Sequence, residues 1–155
     1  MSVVETLRRS VLFGDLDPEQ LDLLSRLFIE RTTRRGEVLV RQGDRVPPVG
    51  DALFLVIEGS VQVKVDGVGG EDDGPLALLG PGDAIGVASL VDEAPRSATC
   101  VVVEPGRVAC LARRTLDALV RSDLGLAARV EHALARQLAR DLRVFNRALR
   151  AAHDG

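Results

Sequence analysis

The hydrophobic pattern changes its period twice along the chain, and these changes limit the fold more than any other feature of the sequence. Over residues 36–112 apolar and polar residues alternate, as in VQVKV at 61–65, which is typical of strands with one buried face. Glycine separates these short apolar runs at close intervals. Several short strands with this spacing predict a small β-barrel or sandwich over residues 36–112.

Turn residues divide this region into individual predicted strands. GEVLVRQGD forms one strand, and DALFLVIEGSVQVKVDG forms two strands that join at residues 58–60. A Gly-Pro-Gly-Asp turn separates two further strands, and a hairpin about residues 104–106 follows. The segments 44–51 and 67–75 are rich in proline, glycine and acidic residues, so we expect both to be loops.

Both ends of the chain have the 3.6-residue period of a helix. Residues 1–35 are predicted to be an N-terminal helical segment, in which Asp17 is an N-cap and Pro18 occupies the first helical position. Residues 113–155 are predicted to be C-terminal helices. The predicted fold class is therefore mainly β, with flanking helices on both sides of the barrel in sequence.

The C-terminal region is predicted to contain a short helix, which Thr115 can cap, and a long helix over 123–152. A helix of this length extends beyond a small barrel, so its distal half exposes an apolar stripe unless a second chain covers it. A homodimer is one solution, and packing of the stripe on the chain's own barrel is the other. The residues assigned to the dimer interface are Val130, Leu134, Leu138, Leu142, Phe145 and Leu149.

Positive charge is concentrated on the opposite face of the long helix. Such an excess can meet an acidic partner, or it can form a solvated face with a few intrahelical ion pairs that each contribute little. The sequence leaves both interpretations open. The residues are Arg129, Arg136, Arg140, Arg143, Arg147 and Arg150.

Composition argues against several functional classes. The formal net charge is −3, without the basic excess of a nucleic-acid-binding chain. Trp and Tyr are absent, which disfavours stacking on single-stranded nucleic acid. No apolar run approaches a membrane span or a signal-peptide core. We therefore expect a cytoplasmic protein with no DNA or membrane partner, in which Cys100 and Cys110 are reduced, buried thiols.

The stretch GVASLVDEAPRSATCVV, residues 86–102, contains the strongest indication of a binding site. Gly86 permits close approach of a ligand to the backbone, and a helical turn over 87–91 would direct free N–H groups at an anion. Arg96 supplies a planar fork suited to phosphate, and Ser97 adds a hydroxyl. The alternative is a surface ion pair between Arg96 and the acidic residues at 92–93.

Catalysis has little support in the sequence. The two histidines, His132 and His153, lie on the terminal helix, far from residues 86–102. No spacing of His, Cys, Asp or Glu indicates a metal site, and no nucleophile stands near a base. We therefore expect no enzyme, no catalytic residue, no metal and no cofactor.

Residues 86–99 resemble the phosphate-binding cassette of the cyclic nucleotide-binding domain family, which includes the regulatory subunits of cAMP-dependent protein kinase and the catabolite activator protein. The resemblance runs from about Leu12 to about Val120. LFGDLDPEQLDLL resembles the family's leading helices, and GEVLVRQGD and LFLVIEGSVQV resemble its strands. LGPGDAIG and PRSAT resemble the two ends of the cassette. The resemblance implies a double-stranded jelly roll over 36–112.

The resemblance also implies a ligand, cAMP or cGMP, and a role for each cassette residue. Arg96 would clamp the cyclic phosphate with support from Ser97, and the backbone N–H groups of Ala88 and Ser89 would complete the cradle. Ala98 would be small so that its strand can pass beneath the ligand. The implied ligand-binding residues are Gly86, Val87, Ala88, Ser89, Arg96, Ser97 and Ala98.

Val87 departs from the family pattern, which usually has glutamate directly after the cassette glycine as acceptor for the ribose 2′-hydroxyl. Valine accepts no hydrogen bond, and a buried hydroxyl without a partner costs about 1–3 kcal/mol. That loss corresponds to an affinity roughly tenfold to a hundredfold lower. The resemblance therefore implies either weakened nucleotide binding or a different or absent ligand.

Two functions remain open. The first is a cyclic nucleotide-binding regulatory module that signals through its C-terminal helix. The alternative is a degenerate, ligand-free dimeric scaffold or protein-interaction domain with the same fold. Bacterial transcription regulators of this kind append a helix-turn-helix after the long helix. Because the sequence ends at Gly155, we expect a stand-alone domain without direct DNA recognition.

Overall fold

A computed structural model describes residues 1–44, 52–66, 77–92 and 94–154. The predicted loops at 44–51 and 67–75 lie outside the described residues, apart from Asp44. The elements in chain order are α1 (Val3–Arg9), α2 (Pro18–Ser25), β1 (Ile29–Thr32), β2 (Val38–Val40), β3 (Ala52–Lys64), β4 (Ala77–Leu79), β5 (Ala84–Ile85), α3 (Val87–Asp92), β6 (Thr99–Ala112), α4 (Arg113–Ser122) and α5 (Leu124–Asp154). This order confirms the predicted fold class, mainly β with flanking helices.

Two long antiparallel strands form the centre of the sheet. β6 pairs with β3 along nearly the whole length of both strands, from Ala52 opposite Ala112 to Lys64 opposite Thr99. β1 and β2 pair with β6, and β4 and β5 pair with β3, all antiparallel. Over the described residues this pairing does not close on itself, so the sheet is open where a barrel was predicted.

The predicted turns at 58–60 and 104–106 are wrong, because β3 and β6 each continue through them. The two glycine-containing segments lie opposite each other, where the register of the pair shifts. Gly59 has φ +93°, and a Cβ there would meet the Glu104 carbonyl at 2.5 Å. A Cβ on Gly106 would likewise overlap the Glu58 carbonyl. The glycines therefore form a bulge that brings two backbones close together, and neither one turns the chain.

The N-terminal prediction is partly correct. α2 begins at Pro18, and the Asp17 N–H donates to Gln20 Oε1 at 3.1 Å, which confirms the predicted helix start. Residues 29–32 were predicted to be helical and instead form β1, in register with β6 from Ile29 opposite Cys110 to Thr32 opposite Arg107. The free edge of β6 satisfies the backbone groups of this segment, and that long-range pairing overrides the local helical pattern.

The start of α4 also differs from the prediction. Thr115 does not cap this helix, because the helix begins two residues earlier, at Arg113. Ala112 occupies the N-cap position with an extended backbone and no side-chain hydrogen bond to the helix. β6 therefore runs directly into α4, and no polar cap separates strand from helix.

The core lies on both faces of β3. Leu53 and Leu55 belong to a cluster that packs under the helices, whereas Phe54 and Val56 belong to a second cluster on the opposite face. Since neighbouring side chains of a strand point to opposite faces, β3 is buried continuously over its first half. α5 contributes Val130 to the first cluster, which fixes the helix against the sheet.

The two halves of α5 have different environments. Val130 and Leu134 are fully covered by this chain, so they cannot form an interface with another chain, and their assignment to the dimer interface is corrected. Leu138 is half-buried against the same core. Beyond it, Leu142, Phe145 and Leu149 are each more than half exposed. The apolar stripe thus serves the intramolecular core in its first half and is open to solvent in its second.

Candidate functional site

A cavity of about 200 Å³ lies between the sheet, α3 and α5. The fold brings all seven residues predicted to bind ligand into its walls. They are Gly86, Val87, Ala88, Ser89, Arg96, Ser97 and Ala98. Residues from β2, β3, β4, β5, β6 and α5 complete the lining.

Gly86 forms the junction between β5 and α3. Its φ of +85° belongs to the left-handed region, which glycine adopts without steric cost. The first bond of the following helix runs from the Leu90 N–H to the Gly86 carbonyl at 3.1 Å. The N–H groups at 87–89 therefore have no acceptor within the helix. Ala88 is exposed, whereas Ser89 is buried.

Arg96 provides a cationic side chain to the cavity lining. The residue is only 3% exposed, and its Nη2 donates to the Ala52 carbonyl at 2.7 Å. A Cβ on Gly86 would collide with Nη1 of Arg96, so the guanidinium lies directly against the glycine backbone. Asp92, one of the two acidic residues in the alternative ion pair with Arg96, accepts from the Ala94 N–H at 2.9 Å. Glu93, the other, lies outside the described residues, so that ion pair stays a prediction.

The backbone of Arg96 is held by a segment that sequence reasoning did not assign to the site. The Arg96 N–H donates to the Asp44 carbonyl at 3.0 Å, and the Gly43 N–H donates to the Arg96 carbonyl at 2.9 Å. Nearby, the Gln42 N–H donates to Thr99 Oγ1 at 2.9 Å. Gly43 has a φ of +90°. The Gly-Asp pair that follows the strand is the sequence signal that could have indicated a turn here. Ser97 is exposed and Ala98 half-buried beside this clamp.

The wall next to Val87 is apolar. Val87 is 7% exposed and belongs to the core under the helices, while Val40 and Ile85 line the cavity from the second core cluster. Cys100 lies on the same wall, and burial raises the pKa of its thiol from 9.0 to about 11, against the opposing charge of Arg96. Cys100 and Cys110 are both free thiols, but only Cys100 is buried as predicted, since Cys110 is half-buried. This wall therefore offers no strong hydrogen-bond acceptor.

α5 closes the cavity on a third side. Leu138 and Asp141 line it, and Asp141 Oδ1 accepts from Gln137 Nε2 at 2.9 Å. Sequence reasoning missed Asp141. The residue is exposed, but its spacing of three and seven residues from Leu138 and Leu134 places it on the helix face that these leucines share, and this spacing could have identified it.

Arg113 connects the cassette to the C-terminal helices. It is the first residue of α4, and its Nη1 donates to the carbonyls of Leu90 and Val91, the latter at 3.0 Å. Its Nε donates to Asp117 Oδ1 at 3.1 Å within α4. A cation at the C-terminal carbonyls of a helix is favourable, so Arg113 fastens the end of α3 to the start of α4. No spacing of residues along the chain indicates this contact.

Within the described part of the chain, neither a metal site nor a membrane-spanning helix is present. Residues 1–44, 52–66, 77–92 and 94–154 contain no group of three His, Cys, Asp or Glu side chains that could hold a metal ion. His132 and His153 are exposed on α5. No helix within these ranges combines the length and the hydropathy needed to cross a bilayer.

Comparison with known proteins agrees with this geometry. The sequence profile described as Cyclic nucleotide-binding domain matches residues 30–123, which is more than half of the chain. The chain belongs to the cyclic nucleotide-binding domain family. The match includes Gly86 and Arg96 and ends at the start of α5.

Members of the cyclic nucleotide-binding domain family that resemble the chain include bacterial regulators. The Cyclic AMP receptor protein of Thermus thermophilus is 42% identical over 137 residues, which cover 88% of this chain and 59% of that protein. The chain therefore spans about six-tenths of the length of this curated relative. The cAMP-dependent protein kinase regulatory subunit of Yarrowia lipolytica is 32% identical over 67% of this chain and 25% of its own length.

Solved structures show the same fold. The Catabolite Activator Protein of Thermus thermophilus superposes with a TM-score of 0.77 and 40% identity, and the match covers 92% of this chain and 62% of that one. A cyclic nucleotide-binding domain from Methylobacillus flagellatus gives a TM-score of 0.79 at 29% identity, over 96% and 82% of the two chains.

Proposed function

We propose that this protein is a regulatory module that binds cAMP or cGMP in the cavity and signals through α5. The observation that supports it most is the buried guanidinium of Arg96. It lines the same cavity as Ala88 and Ser89, whose N–H groups have no acceptor within α3. Buried cationic and N–H donors around one cavity stabilise an anion, and the cyclic phosphate is the anion that this family binds.

The size of the cavity supports a conformational response. Its volume of about 200 Å³ is below the roughly 300–1,000 Å³ usual for small-molecule sites. We expect a nucleotide that occupies this cavity to press against α5, because Leu138 and Asp141 form part of the lining. A ligand that favours a displaced α5 shifts the protein toward that state.

A second connection reaches the C-terminal helices through Arg113. If the cassette closes on the phosphate, α3 moves, and the bonds from Arg113 to the carbonyls of Leu90 and Val91 pull the start of α4. α4 leads directly into α5 through Asp123. Ligand binding thus acts on α5 both directly, at the cavity, and indirectly, through α4.

We also propose that the protein is a homodimer through the distal half of α5. Leu142, Phe145 and Leu149 are exposed at helical spacing, and a second copy of the same helix would cover them. The free thiols Cys100 and Cys110 are compatible with the reducing cytoplasm, where we place the protein. Sedimentation equilibrium should give a dimer for the unmodified chain and a monomer for Phe145→Arg.

The competing function is a ligand-free dimeric scaffold. Val87 favours it, because this buried side chain provides no acceptor for a ribose hydroxyl. The buried Arg96 favours binding. We rank binding ahead of the scaffold because Arg96 lines the same cavity as the N–H groups at the start of α3, an arrangement suited to an anion.

Isothermal titration of the full chain with cAMP and with cGMP separates the two functions. We expect saturable binding to at least one nucleotide, with a dissociation constant weakened by the missing ribose acceptor. The matched control is AMP, which has the same base and sugar and an open phosphate. Absence of heat and of thermal stabilisation with both cyclic nucleotides at millimolar concentration would establish the scaffold instead.

A further inference from the structure

A second cavity lies along α5 and shares no lining residue with the cassette cavity. It has a volume of about 220 Å³ and is enclosed by the segment between α1 and α2 and by the first half of α5. Leu12, Leu16 and Ala133 form its apolar floor. We call this cavity the basic groove, because cationic side chains form its rim.

The rim is formed by four residues of one helical face. Arg129, His132, Arg136 and Arg140 all line the groove, and their spacing of three and four residues places them above one another on α5. Asp15 is the one carboxylate in the lining that the described residues provide. Three guanidinium groups therefore face a single carboxylate.

The charges of the groove are poorly neutralised. Asp15 is paired with Arg136, at 2.9 Å between Oδ2 and Nη1, but its side chain is 77% exposed, and such a pair is weak. Arg129 and Arg140 form no ion pair with a carboxylate of the described ranges. Arg140 donates from Nη2 to Gln137 Oε1 at 2.7 Å. Its Nε is buried without a hydrogen-bond partner among the described residues.

We propose that the basic groove is a binding site for a small phosphorylated anion, of the size and charge of pyrophosphate. Guanidinium groups bind phosphate oxygens through paired N–H donors, and two positive charges remain in the groove after Asp15 is counted. A ligand of this class would displace Asp15 from Arg136 and provide an acceptor for the buried Nε of Arg140. The apolar floor excludes water beneath the anion and strengthens these bonds.

Arginines on the same face of α5 that lie outside the groove show whether an anion binds to the groove itself or to the charge of the whole helix face. Arg143, Arg147 and Arg150 continue the same face of α5, but none of them lines the basic groove. They have the same residue type on the same helix, and they are exposed as Arg129 and Arg136 are. A macromolecular polyanion would use the whole face, whereas a small anion would use the groove alone.

Isothermal titration of the full chain with sodium pyrophosphate at constant ionic strength tests this site. We expect saturable binding with one anion per chain, a fivefold to tenfold weaker constant for Arg129→Gln, and an unchanged constant for the matched control Arg143→Gln. Asp15→Asn removes the competing carboxylate and should tighten binding severalfold. Circular dichroism melts confirm that each variant folds.

Two results would overturn the proposal. One is that pyrophosphate shows no saturable binding, or binds no more tightly than sulfate at the same ionic strength. The other is equal weakening by Arg143→Gln and Arg129→Gln, which would assign the affinity to the diffuse charge of the whole helix face. Neither result depends on whether a cyclic nucleotide binds beside Arg96, because the two cavities share no lining residue.

Discussion

The two sides of the cassette cavity differ in chemistry and in how they are built. On one side the buried guanidinium of Arg96 lies against Gly86, and the backbone of Arg96 is held by Gly43 and Asp44. On the other side Val87 and Cys100 present apolar surface that is continuous with the core. We call these the charged wall and the apolar wall.

We expect the charged wall to determine the affinity for a ligand and the apolar wall to determine the selectivity among ligands. Under the proposed function, the charged wall would bind an anion whatever group the anion is attached to. The apolar wall determines which attached groups lose or keep their hydrogen bonds on entry. A chain that keeps the first wall and lacks an acceptor on the second should bind cyclic phosphates while discriminating weakly at the ribose.

The charged wall is tested by Arg96→Met, which preserves much of the side chain's length and removes its charge. Loss of charge-assisted hydrogen bonds worth about 3 kcal/mol should weaken cyclic nucleotide binding at least a hundredfold, as measured by isothermal titration. Arg96→Lys keeps the charge without the planar fork and should give an intermediate constant. Unchanged affinity in a folded Arg96→Met protein would show that the charged wall does not bind the ligand.

The close approach of Gly86 to Arg96 gives the next largest effect. In Gly86→Ala the new Cβ collides with the guanidinium and lies 2.9 Å from the Ala52 carbonyl, so Arg96 must move, and binding should fall roughly tenfold or more. Gly36→Ala is the matched control, since Gly36 has φ +83° and nothing within 4 Å of its Cβ. Both variants bear the strain of a left-handed alanine, about 1–2 kcal/mol. Equal affinity in the two variants would contradict the contact.

The apolar wall is tested by restoring an acceptor. Val87→Glu should tighten binding of cAMP or cGMP about tenfold by accepting the ribose hydroxyl, although burial of a carboxylate lowers the stability of the free protein. The control ligand is the 2′-deoxy cyclic nucleotide, whose affinity should not rise in Val87→Glu because it has no 2′-hydroxyl. In the unmodified chain the ribo and deoxy forms should bind almost equally. A strong preference for the ribo form there would reveal an acceptor other than residue 87.

The titration of the Cys100 thiol tests whether water reaches the apolar wall. Its folded pKa of about 11 exceeds the ordinary 9.0, so the unfolded chain loses this proton first as pH rises. The free energy of unfolding should therefore be intact below pH 9 and fall by about 1.4 kcal/mol per pH unit between 9 and 11. Urea titrations followed by circular dichroism measure this slope.

The control is Cys100→Ala, in which the free energy of unfolding should lose most of its dependence on pH between 9 and 11. A smaller remainder comes from Cys110, whose pKa burial also raises. An unmodified chain with no slope in this window would mean that water reaches the Cys100 thiol. The apolar wall would then be hydrated, and the weak ribose discrimination predicted above would lose its basis.

Local patterns were sufficient to predict those parts of the fold that local chemistry determines. The Pro18 helix start, the turn between β4 and β5, and the long helix α5 each follow from capping, turn residues or periodicity within a few positions. The predictions at 58–60 and 104–106 are wrong because their glycines serve a contact between two strands more than 40 residues apart in sequence. A single sequence shows the glycine but not the backbone opposite it.

The same distinction holds at the site. The seven cassette residues were predicted from the family resemblance, which one short stretch of sequence carries, and all of them line the cavity. Asp44, Arg113 and Asp141 were missed, since each reaches the cassette from a distant segment. Of these, Asp141 alone belongs to a helical spacing that reveals the face of α5 on which it lies.

The central claim is that the charged wall binds a cyclic phosphate, and a crystal structure grown with saturating cAMP tests it most directly. The account predicts phosphate oxygens at about 2.7–3.0 Å from the Arg96 guanidinium and within hydrogen-bond distance of the Ala88 and Ser89 N–H groups. It also predicts α5 displaced outward at Leu138. A cavity without nucleotide at millimolar cAMP, or a nucleotide bound with its phosphate away from Arg96, would contradict it.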